Sequence, residues 1–67
     1  MIDTKISAMK SVYNAEIDVY KAEVQNYLDN PVAVGEHGNL IETIDTLVAK
    51  IAEAEDKLIV LETHFNE

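Results

Sequence analysis

Two histidines, two serines, three tyrosines, thirteen carboxylates and five lysines are the side chains of this 67-residue chain that could do chemistry. Glu36 and His37 are adjacent between two glycines and could act as a ligand pair or a partner hook. A third member is missing, so they are read as a solvated turn, with Glu36 favoured near the positive end of the following helix. Glu62 and His64 are two apart, whereas metal-binding bundles project Glu-x-x-His pairs inward from facing helices. Ser7 and Ser11 have no triad partners near them in sequence, there is no cysteine nucleophile, and no glycine-rich phosphate loop occurs. Glu16 and Glu23, seven apart, are expected as edge groups pairing with lysines such as Lys50 and Lys57 on a neighbouring helix. With none of the usual elements of a catalytic centre, no enzyme activity, metal or cofactor is expected.

The tyrosines have a pattern of their own. In "VYNAEIDVYKAEVQNYL" they stand at Tyr13, Tyr20 and Tyr27, one every seven residues. On a helix that spacing lines the rings up in one row. A ligand-stacking reading would make the row a recognition surface, but base stacking comes with a positive groove. The row alternates with Ile17 and Val24, so it is read as a packing seam whose hydroxyls reach water or a neighbour at its edge.

The elements that carry these groups follow from punctuation and periodicity. Pro31, Gly35 and Gly38 all fall in "NPVAVGEHGN", residues 30–39. The rest reads as two long helices in a single domain, 1–67: one helix over about 3–29, a loop over about 30–38, and a second helix over about 39–65. Asn30 precedes a proline and should end the first helix. Asn39 can cap the second, with Glu42 reaching back as a capping box. Val32 and Val34 could fold over the end of the hairpin as a lid. The second helix carries Leu40, Ile44, Leu47, Ile51, Ala54, Leu58, Leu61 and Phe65, an unbroken alternation of four- and three-residue steps. The first carries Ile2, Ile6, Met9, Tyr13, Ile17, Tyr20, Val24 and Tyr27, with one extra four-residue step after Tyr13 that reads as a stutter. Ile51 and Leu58 are expected at the centre of the core. Two seams of equal length on a short connection describe an antiparallel hairpin.

Each helix also has a second apolar stripe. Ile41, Val48, Ala52 and Ile59 line up about 100° from the main seam of the second helix. Ala8, Val12, Ala15, Val19 and Ala22 form a shallower stripe on the first. Alanines alone could be there for helix propensity, but Val12 and Val19 are mediocre helix formers with little reason to be exposed. Val60 fits neither stripe. So small a chain buries too little on its own and has no disulfide to help, which leaves self-association. The fold expected is all-α, an antiparallel two-helix hairpin dimerising into a four-helix bundle. Tyr13, Tyr20, Tyr27, Val12, Val19, Ile41, Val48 and Ile59 are the interface candidates, and Glu36 and His37 the loop candidates.

Charge narrows the partners. A net charge of -8 without any arginine repels nucleic-acid phosphates and anionic lipid. No apolar run approaches a membrane span, and "MIDTKISAMK" lacks the apolar core of a signal peptide. The expected partners are therefore the chain itself and another protein, not nucleic acid or membrane, and the expected location is cytoplasmic or virion-associated.

The "NPVAVGEHG" turn followed by the acidic helix resembles short helical open reading frames of tailed bacteriophages, cyanophages in particular. This resemblance spans about half the chain and implies no catalytic or binding residues. In size and layout the chain also resembles the Rop-type hairpin dimers, without the basic face on which their RNA binding relies. The heptad apolar seams point to a non-enzymatic assembly or protein-interaction module that self-associates or binds a partner helix, and the phage resemblance implies an accessory or virion role for it. The alternative is an acidic mimic of nucleic acid that inhibits a host protein. Mimicry needs acids in rows on one face, whereas here they are mixed with lysines.

Overall fold

The computed structural model describes residues 3–30 and 39–66, which form two helices, α1 (Thr4–Asp29) and α2 (Leu40–His64), packed antiparallel along their length. The expected lid valines Val32 and Val34, the loop pair Glu36 and His37, and Ile2 lie outside the described residues.

Local chemistry sets the ends. Asp3 is the N-cap of α1. Its Oδ1 accepts from the backbone N–H of Lys5 at 2.7 Å and of Ile6 at 3.4 Å. Two of the donors that a helix start leaves open are thereby satisfied. Asn30 leaves the helical region at φ -141° and ψ 69°, and its N–H closes the last turn on the Asn26 carbonyl at 2.8 Å. A residue before proline should depart in this way. Asn39 caps α2 by accepting from the Glu42 N–H at 3.0 Å. Among the bonds of the described residues, the return arm of the expected capping box, from the Glu42 carboxylate to the Asn39 N–H, is missing.

The hairpin core is one row wide. Leu47, Ala54 and Leu61, seven apart on α2, are its buried residues, and Ala54 at 2% exposure marks a close approach of the helices. Ile44, Ile51 and Leu58 form the companion row and are only half-buried. Ile51 and Leu58 are therefore not the centre of the core, because two helices bury one row of a seam fully and leave the second row at the rim.

On α1 the half-buried residues include Ile6, Lys10, Tyr13, Ile17, Tyr20, Val24 and Tyr27. Their steps alternate four and three without a break. The stutter expected after Tyr13 is absent because Lys10, not Met9, occupies the seam. The ammonium of Lys10 reaches Glu62 of α2 at 2.7 Å. Its four-carbon stem can lie along the apolar row while the charged head makes that contact. Met9 is exposed. Phe65 is a second departure: it follows the last helical residue, takes φ -127°, and is 56% exposed instead of extending the α2 seam.

Candidate functional site

The two long edges of the hairpin differ, and each has an interhelical contact that identifies it. Along one edge, Lys57 Nζ lies 5.3 Å from the centre of the Tyr13 ring, and Lys50 Nζ lies 5.5 Å from that of Tyr20. Both spacings are one heptad, so α1 presents a row of rings and α2 lays a row of lysine stems and ammonium groups over it. Thr43, one heptad before Lys50 and half-buried, occupies the same position in the row that runs toward Tyr27. A groove of about 230 Å³ along this edge is bordered by Glu16, Tyr20, Lys50, Glu53, Ala54 and Lys57.

The lysines do not pair with Glu16 and Glu23 as expected. Lys57 instead meets Glu53, one turn earlier on its own helix, at 3.3 Å. Residues four apart on a helix are natural partners of this kind. That hydrogen bond and charge, helped by Tyr13 and Glu16, raise the Lys57 ammonium above the ordinary lysine range against a small opposing desolvation. Tyr13 and Tyr20 thus lie half-buried in the seam with a lysine over each ring, while Tyr27 is half-buried without one among the described residues.

Along the opposite edge the Lys10–Glu62 ion pair is the interhelical link. This edge is open. Ile44 and Ile51 on α2 and Ile17 and Val24 on α1 lean toward it from the seam and are only half-buried. Ile41, 79% exposed, Val48 and Ile59, 61% exposed, continue the apolar surface outward on α2, and exposed Leu28 adds to it from α1.

The two second stripes therefore do not lie together. At about 100° per residue, Val12 and Val19 sit on the Glu16–Glu23 side of the α1 seam, which is the tyrosine edge. Ile41, Val48 and Ile59 sit on the Glu62 side of the α2 seam, which is the open edge. Val12 and Val19 are both exposed, as are the alanines of their stripe.

The remaining polar candidates are engaged locally or stand apart. Ser11 Oγ donates to the Ser7 carbonyl at 3.2 Å. That is a helix back-bond and not a primed nucleophile. The His64 ring packs edge-on against Phe65 at 6.2 Å while Glu62 is taken by Lys10, so that pair does not converge. Among the described residues no three His, Cys, Asp or Glu side chains come together as metal ligands, and no helix is long and apolar enough to cross a membrane. No family model, curated protein or solved structure matches the chain. What the site can do is read from its surfaces: one edge where lysines lie over Tyr13 and Tyr20 with Val12 and Val19 exposed beyond them, and one apolar edge without a cover.

Proposed function

We propose that the chain is a non-enzymatic helical assembly module whose open edge binds a second copy, so that two hairpins close into a four-helix bundle. The observation that carries this is the half-buried row of Ile44, Ile51, Ile17 and Val24, continued by exposed Ile41, Val48 and Ile59. Aliphatic residues at heptad spacing, partly out of a core, are what a third and fourth helix would cover. A hairpin edge about 38 Å long and two helices, about 20 Å, wide offers roughly 760 Å², close to the ~800 Å² per partner of an ordinary stable interface. The tyrosine edge supports the same reading from the other side. Lysine stems and charges already cover the Tyr13 and Tyr20 rings, so that stretch has less to gain from a partner. Assembly with itself suits the virion or accessory role that the phage resemblance implies.

Melting at several protein concentrations tests the proposal. If the folded state is an assembly, the melting temperature rises with concentration. A melting temperature that stays constant across a hundredfold dilution series overturns it.

A further inference from the structure

Resting on that reading, the open edge also specifies which helix meets which, because its two sides are unlike. On α2 the outward side carries the apolar stripe Ile41, Val48, Ala52 and Ile59, with Asp45, Glu55 and Glu62 beside it. On α1 the outward side of the same edge carries Asn14, Lys21 and Leu28 beside the seam residue Lys10, with Asn14 Nδ2 turned back onto the Lys10 carbonyl at 3.0 Å. Two hairpins can close edge to edge in two symmetric ways. A two-fold axis along the bundle sets α2 of each copy over α1 of the other and lays the α2 stripe on a row in which only Leu28 is apolar. A two-fold axis across the bundle sets α2 over α2 and α1 over α1, antiparallel, and lays the two apolar stripes on each other with their acids alongside.

The α2 stripe fits the second arrangement residue by residue. Its steps are seven, four and seven, the same read in either direction. About a centre midway between Val48 and Ala52, Ile41 of one copy falls opposite Ile59 of the other, and Val48 falls opposite Ala52. Each contact then occurs twice, and a larger side chain meets a smaller one beside the axis, where the helices come closest. All helix neighbours are antiparallel in either arrangement, so the choice between them rests on the stripe.

We infer that the second copy docks α2 against α2, antiparallel, with the two-fold axis level with the gap between Val48 and Ala52. The Val12–Val19 stripe, being on the tyrosine edge, then remains on the outside of the bundle.

The chain contains no cysteine, so single introduced thiols report this register directly. Ile41 and Ile59 are among the exposed residues of the hairpin, and replacing either leaves its core intact. Ile41→Cys and Ile59→Cys chains would be oxidised separately and as an equal mixture. In the inferred register identical positions 41 and 41 lie about 27 Å apart along the axis, eighteen residues at about 1.5 Å each, while a disulfide needs Cα atoms within roughly 7 Å. The Ile41→Cys and Ile59→Cys mixture should therefore cross-link on the order of ten times more than either chain alone. Cross-linking of the single variants equal to that of the mixture overturns the register. So does an absence of cross-links when sedimentation gives a two-chain mass. A one-chain mass overturns both the register and the self-association beneath it.

Discussion

Replacing Tyr20 separates a packed ring from a recognition surface, and the geometry sets the size of the effect. The ring is half-buried in the seam beneath Lys50. An aromatic side chain buries about 150–250 Å² when fully covered, so about 100 Å² is at stake here. At about 25 cal/mol/Å² that is roughly 2.5 kcal/mol. The lysine above the ring adds about 0.5 kcal/mol, the low end for exposed cation–π pairs. Tyr20→Ala should therefore cost about 3 kcal/mol. In a domain this small, a loss of about 1 kcal/mol moves the melting temperature by about 4–8 °C, so the Tyr20→Ala melt should fall by roughly 10 °C or more at fixed protein concentration. Tyr20→Phe keeps the ring and the lysine above it and gives up only a hydroxyl with no protein hydrogen bond among the described residues. It should shift the melt by no more than a few degrees. Circular dichroism melts of the two variants beside the unaltered chain make the comparison. An unmoved Tyr20→Ala melt would refute the packing argument and make Tyr13, Tyr20 and Tyr27 a free surface.

The core and the flanking charges give two further expectations. Leu47→Ala, at a buried position of the α2 row, should cost about 2–5 kcal/mol, and Ala54→Leu, where the helices approach closely, about 1–3 kcal/mol by overpacking, both measured by urea denaturation. Asp45, Glu55, Asp56 and Glu62 flank the open-edge stripe of α2, so two copies bring like charges together there. Association should tighten severalfold between about 20 mM and about 0.5 M salt, a trend that sedimentation would detect and that salt-weakened association would contradict.

Much of this is legible in the residues themselves. The proline and glycines of 30–39 mark where the helices stop, and the four-three alternation marks which side of α2 turns inward. Lys10 is hidden by its charge. It stands three residues before Tyr13 and four after Ile6, where the heptad requires an occupant, but an apolar pattern skips a lysine and takes Met9, whose neighbouring position breaks the count. Asp3 reads equally well as a cap or as the first helical residue, because an acid ahead of a helix fits either role. Phe65 joins the seam by spacing alone, although a residue beyond the last hydrogen-bonded turn need not follow the helical direction. The unlike edges need a relation between the helices. A wheel drawn for one helix shows how many stripes it has. Only a contact such as Lys57 over Tyr13 or Lys10 with Glu62 tells which stripe of α1 shares an edge with which stripe of α2.

Sedimentation equilibrium of the unaltered chain beside Ile59→Asp tests the central claim most directly. Ile59 is 61% exposed in the hairpin, so an aspartate there leaves each hairpin intact. In the assembly it would place an unpaired charge within a covered apolar edge, which is costly. The expected result is a two-chain mass for the unaltered protein at micromolar concentration and a one-chain mass, with helix content retained, for Ile59→Asp. A one-chain mass for the unaltered protein, or a two-chain mass that survives Ile59→Asp, would contradict the open edge as the surface on which this chain assembles.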